Sequence, residues 1–225
     1  LLIALALAAH PAAAEDDQSS ALGFERTPPR LAFTDGEVSY WRPGDEDWTA
    51  DRVNTPLAEG DELSTGAGAN LELQIGARAF MRAGEATQLA LGSLEPDYLK
   101  LEVLNGTSAL DVRELGSGQT FEIDTPNAAF TIERPGYYRI EVADDATKFT
   151  TRRGGQAVVQ TKGGLPSSVA ANEQLEVRGT DEPVLASYGA PSLDDWDRWN
   201  YSRSERQNAP ESARGRSDGS FARSA

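Results

Sequence analysis

Paired carboxylates are the groups in this sequence that could do chemistry without help from other side chain types. Acidic runs occur at residues 45–47, 144–145 and 194–195. Two opposed carboxyl groups suffice for glycoside hydrolysis, and clustered ones can bind calcium. Each run falls in a predicted loop or helix start, and none has the spaced pattern of an EF-hand loop. We therefore interpret these acids as solvated surface charge.

Other catalytic side chains are scarce. The chain contains no cysteine, and its one histidine, His10, lies in the apolar segment at the start of the sequence. If that segment is removed, neither a thiolate nor an imidazole is left for a nucleophile, a general base or a metal site. We predict a protein that is not an enzyme and that has no cofactor and no metal.

The glycine-rich stretch GDELSTGAGANLELQIG, residues 60–76, is the one candidate for a phosphate-binding loop. Phosphate loops require Gly-x-x-x-x-Gly-Lys-Ser/Thr, or Gly-x-Gly-x-x-Gly between a strand and a helix. Here Gly66 and Gly68 have no lysine beside them, and the alternation of Leu71, Leu73 and Ile75 follows them. The pattern predicts a tight turn before a core strand.

Arginines flank two predicted turns. Arg134 and Arg139 surround Pro135-Gly136, where we predict a type II turn, and Arg152 with Arg153 precedes Gly154-Gly155. Together they could clamp a carboxylate or a phosphate. The plainer interpretation is the solvated end of a hairpin.

Short apolar/polar alternations, each closed by glycine, proline, asparagine or aspartate, run from residue 30 to about residue 177. This period of two is typical of half-buried strands and predicts an all-β domain, with Asn105-Gly106 as a hairpin turn. The strand spacing is compatible with a sandwich, a barrel or an irregular β-solenoid.

The ends of the chain differ from this β region. Residues 1–14 have the apolar core and small residues of a signal peptide that lacks its start, and cleavage after Ala14 would export the protein to the periplasm or beyond. Residues 15–29 form a linker, residues 30–190 the β domain, residues 191–207 a helix, and residues 208–225 a tail predicted to be disordered. After processing, no transmembrane segment is expected.

The net charge of −15 makes nucleic acid an unfavourable partner. In the predicted helix, Ser192 is the expected N-cap, and Trp196, Trp199 and Arg203 share one face. That face either docks on the β domain or binds a protein partner.

Three further aromatic residues, Tyr40, Trp41 and Trp48, surround the acidic turn at residues 44–47. If Tyr40 and Trp48 pair across a hairpin, they belong to the core or to the sheet edge. The alternative is a platform on which sugars of a glycan or of peptidoglycan stack.

The order of these motifs resembles the FecR domain, a periplasmic module of bacterial regulators of iron uptake. The family shows Gly-(Asp/Glu)-Val, then Leu-x-x-Gly-Asp-x-Leu-x-Thr-Gly, then Leu-x-Leu. The matching positions here are Gly36-Glu37-Val38, Leu57, Gly60, Asp61, Leu63, Thr65, Gly66, Leu71 and Leu73. The segments IDTPNAAFTIERPGYYRIEV and TTRRGGQAVV resemble the second half of such a domain, and residues 194–204 resemble the end of an envelope-protein group.

The resemblance implies an all-β fold, no catalytic residues, and protein–protein interaction or signalling with a partner in the cell envelope. The chain shows no helical anti-sigma domain, so direct control of a sigma factor does not follow. The alternative function is that of a glycan- or peptidoglycan-binding module.

Overall fold

The computed structural model describes residues 28–50 and 52–208. The predicted signal peptide, the linker up to residue 27 and the tail beyond residue 208 lie outside this part, and the statements about them stay predictions. In the described part, no helix has the length and hydropathy of a membrane span.

The described chain folds into sixteen strands followed by one helix. The strands are β1 (Arg30–Asp35), β2 (Val38–Trp41), β3 (Thr49–Ala50), β4 (Glu62–Thr65), β5 (Asn70–Ile75), β6 (Ala79–Ala83), β7 (Gln88–Leu94), β8 (Tyr98–Val112), β9 (Thr120–Asp124), β10 (Ala129–Ile132), β11 (Gly136–Ala143), β12 (Ala146–Arg152), β13 (Ala157–Gln160), β14 (Ser167–Val169), β15 (Glu173–Arg178) and β16 (Val184–Gly189). The helix is α1 (Asp195–Asn208).

The strands form two sheets that share β8. The first, which we call the helix-side sheet, has the order β1-β5-β6-β8-β11-β12-β15-β16. The second, the far sheet, has the order β3-β2-β4-β7-β8-β9-β10-β13-β14. Neighbouring strands are antiparallel except β8 and β9, which are parallel.

Strand β8 passes from one sheet to the other at Asn105-Gly106. Up to Asn105 it pairs with β7 of the far sheet, and from Gly106 onward it pairs with β11 of the helix-side sheet. The hairpin predicted at this dipeptide is therefore wrong, because the positive φ of Gly106 (89°) bends a continuous strand. A Cβ atom on Gly106 would lie 2.4 Å from Oγ1 of Thr87, so only glycine fits there.

The apolar side chains of both sheets form one core. Leu71, Leu73 and Ile75 are buried on one sheet, as their alternation predicts. The rings of Phe130 in the far sheet and Phe149 in the helix-side sheet stack with centroids 4.1 Å apart. The all-β prediction is confirmed, and the two layers match the sandwich among the architectures considered.

The turns at Pro135-Gly136 and Gly154-Gly155 connect the two sheets. The first leads from β10 to β11, and the second leads from β12 to β13. Gly136 does not take the positive φ of the predicted type II turn. Glycine is needed at position 136 because the backbone at Gly155 passes close to it. A Cβ atom on residue 136 would lie 2.3 Å from Cα of Gly155.

Candidate interaction site at the C-terminal helix

Helix α1 lies against the outer face of the helix-side sheet, and Asp194 caps its first turn. Oδ1 of Asp194 accepts the backbone N–H of Asp197 at 2.8 Å. The predicted cap at Ser192 is wrong, because the helix begins at Asp195 and Asp194 is the residue next to it. The Asp194 carboxylate also accepts Nη1 of Arg139 at 2.6 Å, which fixes the cap to the sheet. Burial raises the pKa of Asp194, but these hydrogen bonds outweigh it and hold the pKa below its ordinary value.

Asp197, one turn into the helix, is clamped by arginines of the sheet. Its carboxylate is 1% exposed and accepts the hydroxyl of Tyr137 at 2.8 Å. Nη1 of Arg139 lies 3.3 Å from it, and Nη2 of Arg152 lies 3.8 Å away. Two of the four arginines proposed to clamp an anionic ligand thus hold a carboxylate of this chain.

The other two arginines of that set have different surroundings. The guanidinium of Arg153 stacks over the ring of Tyr201 in α1, 3.6 Å from its centroid. The carbonyl of Arg134 accepts the hydroxyl of Tyr138. Three of the four guanidinium groups, those of Arg139, Arg152 and Arg153, are therefore engaged with the helix, and the four do not form one open anion site.

Glu72 of β5 is the centre of a buried charged cluster under the second half of α1. Its carboxylate accepts Nε of Arg82 at 2.7 Å, two bonds from Arg203 at 3.0 and 3.1 Å, and Nε2 of Gln207 at 2.7 Å. Burial raises the pKa of Glu72, but the hydrogen bonds from Arg203 and the charge and bonds of Arg82 hold it below its ordinary value of 4.5. Arg82 is fully buried, with Nη1 3.1 Å from Oγ of Ser204.

A second buried carboxylate extends this cluster. Asp111 of β8 accepts the hydroxyl of Ser204. Beside it, Nη2 of Arg113 donates to the carbonyl of Ser204 at 3.0 Å and to Oε1 of Gln207 at 2.9 Å. Charged and polar side chains therefore fix the helix along two of its turns, and such bonds require one specific position of the helix.

The aromatic face of α1 is partly exposed. The indoles of Trp196 and Trp199 stack with centroids 5.1 Å apart and an interplanar angle of 17°. The ring centroids of Trp199 and Phe33 lie 6.3 Å apart. The guanidinium of Arg203 covers the Phe33 ring, 4.0 Å from its centroid. The Arg203 guanidinium is thus held by Phe33 and Glu72, and Arg203 and both indoles keep part of their surface open to solvent.

A cavity of about 370 Å³ opens beside Trp196. The glycine-rich turn, the β6–β7 turn and the first turn of α1 line it. The lining residues are Gly68, Ala69, Asn70, Gly84, Glu85, Thr107, Arg139 and Trp196. Nε1 of Trp196 is buried with no hydrogen-bond partner in the described part of the chain. The structure thus brings the glycine-rich turn and the Trp196 end of the indole pair to one site.

The proposed sugar platform is only partly available. Tyr40 is buried, and its hydroxyl donates to Asp61 at 2.7 Å. Its strand partner is Thr49, so the proposed pairing of Tyr40 with Trp48 is wrong. Trp41 is half-buried with its Nε1 donating to the carbonyl of Asp45, and Trp48 is 43% exposed. Sugar stacking stays a prediction that rests on Trp41 and Trp48.

The acidic runs lie in three separate places: the loop after β2, the β11–β12 turn and the start of α1. Asp144 lines a second cavity, of about 290 Å³, together with Glu141 and Glu176. Those two glutamates form ion pairs with Arg139 and Arg178. In residues 28–50 and 52–208, no group of three His, Cys, Asp or Glu side chains has metal-binding geometry.

The residues that hold the site together were not predicted from the sequence. Glu72 stands in the alternating strand NLELQI, a pattern that predicts exposure to water, and Arg82 interrupts the apolar strand AFMRA, but α1 covers both. Asp61 was named in the sequence only as one position of the FecR-like motif. It is buried and accepts Nε and Nη2 of Arg42 at 2.8 and 2.6 Å. The informative signal was a charged residue in the middle of otherwise apolar strands such as AFMRA.

No protein-family model and no curated protein matches this chain. Similar solved structures include two crystal structures of a candidate anti-sigma factor from Parabacteroides distasonis, with 16% and 15% identity and a TM-score of 0.49 each. In both cases the match covers 57% of this chain and 59% of the other. The chain thus spans about three fifths of the length of these neighbours, and at this similarity they carry no inference about its function.

Proposed function

We propose that this chain is an exported FecR-like protein that mediates protein–protein interaction or signalling in the bacterial cell envelope, without enzymatic activity. The FecR-like motifs support the proposed class, and the signal-peptide pattern supports the proposed location. The partly exposed stack of Trp196 and Trp199 beside the 370 Å³ cavity is the observation that carries the interaction.

The indole pair has the properties of a protein-binding anchor. Tryptophan contributes a large contact area at low entropic cost and is enriched among the residues that dominate binding energies. Here Phe33 packs against Trp199, and helix α1, which carries both indoles, is itself docked on the sheet. Because its position is fixed before binding, little ordering is needed when a partner covers the remaining surface.

The surrounding charges favour the same interpretation. The arginines nearest the stack are neutralised by Asp194, Asp197 and Glu72. The cavity therefore offers the apolar indole of Trp196 and glycine backbone, with Asn70, Glu85 and Thr107 as polar groups in its wall. We propose that an apolar side chain of the partner enters it and packs against the indole of Trp196.

Site-specific photo-crosslinking in the native host tests this proposal. The crosslinker replaces Arg198, an exposed residue of α1 between the two indoles in sequence, and the matched control replaces Lys162, exposed in the turn after β13. We expect one dominant envelope protein captured from position 198 and not from position 162. Capture should fall at least tenfold when Trp199→Ala is added.

Equal capture from both positions, or capture that survives Trp199→Ala, would overturn the interaction site. The location is tested separately, by N-terminal sequencing of the protein recovered from the periplasmic fraction. We expect a mature start at Glu15. A cytoplasmic, unprocessed protein would overturn the export proposal while leaving the interaction site open to the crosslinking result.

A further inference from the structure

The two sheets end in four edge strands, and three of them are protected. In the far sheet, β3 has two residues and β14 has three, so neither offers a long free edge. In the helix-side sheet, β1 contains a register shift. Its Leu31 also exchanges backbone hydrogen bonds with Asn54 and Thr55, which cover that edge.

Within residues 28–50 and 52–208, nothing gives strand β16 any of these protections. Its sequence VLASYG contains no charged residue and no proline, and its pairing with β15 runs over six residues without a register shift. Val184, Leu185 and Tyr188 are 66%, 40% and 52% exposed. A free, regular and apolar edge of this kind is a template for pairing with another strand.

The free backbone groups of β16 can be assigned from its ladder. Just past the strand, the N–H of Ala190 donates to the carbonyl of Asn172. Because bonded pairs recur at every second residue of an antiparallel ladder, Val184, Ala186 and Tyr188 bond to β15. Leu185, Ser187 and Gly189 therefore direct their N–H and C=O groups to the open side.

We infer that β16 pairs antiparallel with β16 of a second copy of this chain, centred on Ala186. A two-fold axis perpendicular to the sheet keeps the same faces together, so Val184 lies opposite Tyr188 of the second copy, and the reverse. The two Ala186 residues face each other. Leu185 then exchanges backbone hydrogen bonds with Ser187 of the second copy, and Ser187 does so with Leu185 of the second copy.

The side chains of β16 fit this self-pairing. A β-branched residue and an aromatic residue lie two positions on either side of the small Ala186, so the symmetric register gives two favourable cross-strand pairs. The strand itself brings no like charges into register, although each chain carries −15. The association should therefore strengthen with salt, which screens the repulsion between the two bodies. This inference goes beyond the proposed envelope partner and does not depend on it.

The absence of cysteine permits a direct test of the register. In the full chain, Ala186→Cys would place two thiols in a non-hydrogen-bonded pair, whose Cα separation of roughly 4.5 Å suits a disulfide. Leu165→Cys, at a residue 90% exposed in the turn before β14, is the matched control for random collision. Under mild oxidation at low protein concentration, we expect the Ala186→Cys chain to form a covalent dimer at least tenfold faster than the control.

Sedimentation equilibrium of the unchanged protein, which has no cysteine, supplies the second measurement. Ser187→Pro removes an N–H that faces the open side and leaves the bonds to β15 in place, so the monomer should keep its circular dichroism spectrum. We expect dimer dissociation to become at least tenfold easier in Ser187→Pro, and dimerisation of the unchanged chain to strengthen as salt is added. Equal oxidation rates for the two cysteine variants, or a monomer at about millimolar concentration, would overturn the inference.

Discussion

The interior between the two sheets and the interface under α1 are both buried, but they are built from different groups. The interior consists of apolar side chains such as Leu73, Phe130 and Phe149, whose burial is non-directional in its energetics. The interface under α1 contains Glu72 and Arg82 at 1% and 0% exposure, joined by directional bonds. The first region provides most of the stability, and the second fixes where the helix sits.

This difference bears on function because the position of the helix determines the position of the indole pair. A purely apolar contact would allow α1 to slide or rotate by small steps, since apolar packing has few directional constraints. The bonds from Arg203, Arg82 and Gln207 to one carboxylate allow a single arrangement. A binding surface made of Trp196 and Trp199 is thereby presented in one geometry.

The largest effect is expected in the interior. Phe149→Ala removes a fully buried ring that stacks on Phe130 across the two sheets, and it leaves a cavity. We expect the free energy of unfolding to fall by about 4 kcal/mol, measured by urea denaturation at 25 °C. Leu165→Ala, at an exposed residue, is the control and should change the free energy of unfolding by less than about 0.5 kcal/mol.

Equal losses from the two substitutions would mean that the sheets do not share one core. A loss confined to Phe149→Ala, with an unchanged dependence on urea, would support a single cooperative unit made of both sheets.

A somewhat smaller loss is expected from the charged interface. Arg82→Ala removes one of the two arginines that neutralise Glu72, together with the hydrogen bonds from Arg82 to Oγ of Ser204 and to Oε1 of Gln207. We expect a loss of about 3 kcal/mol, because a buried charge that loses a partner keeps its desolvation cost. The control is Arg78→Ala, which removes an exposed ion pair with Glu114 and should cost about 0.5 kcal/mol or less.

A loss of less than 1 kcal/mol for Arg82→Ala would contradict the comparison, because it would mean that the cluster is hydrated or that the helix is not held by it.

The interior was the part that could be predicted from the sequence. Core strands such as β5 and β9 alternate apolar and polar residues, and this period of two depends only on the pleat. The glycines of the turns were also recognised, but not their roles. At Gly106 and Gly136 the local pattern cannot show whether glycine serves a chain reversal, a bend or a close approach, since that depends on which strands are neighbours in space.

The interface under α1 could not be predicted in the same way. Glu72 and Arg203 are 131 residues apart in the chain, and nothing in either local pattern relates them. The alternation around Glu72 correctly placed it on the outer face of its strand, yet it could not show that a helix covers that face. The helix itself was predicted over residues 191–207 from its charges and indoles, whereas it begins four residues later, at Asp195, with Asp194 in place of Ser192 as its cap.

The pH dependence of stability should also differ between the two regions. The pKa of Glu72 is lowered in the folded protein, so this residue contributes stability above its unfolded pKa of about 4.5, and the contribution is lost as the pH falls through the folded value. Glu72→Gln should therefore destabilise the protein at pH 7, by less than Arg82→Ala because the amide keeps hydrogen bonds. The difference from the unchanged protein should shrink below about pH 4.5.

Urea denaturation of both proteins between about pH 7 and pH 3 measures this difference. Leu73→Ala is the control from the interior, since neither leucine nor alanine titrates and its cost should stay constant over the same range. A Glu72→Gln cost that is independent of pH would contradict the role of the Glu72 carboxylate as the charged centre of the interface.

The smallest effect concerns the start of α1 and tests whether the helix can open without the sheets. Asp194→Ala removes the side chain that caps the helix and binds Arg139, and we expect a local cost of about 1 kcal/mol. In hydrogen exchange, amides of the first turn should exchange about fivefold faster, while those of β8 keep their rate. Ser192→Ala, at the exposed residue first predicted to be the cap, should leave both rates unchanged. Faster exchange in β8 as well would mean that helix and sheets open together, and the charged interface would then belong to the same cooperative unit as the apolar interior.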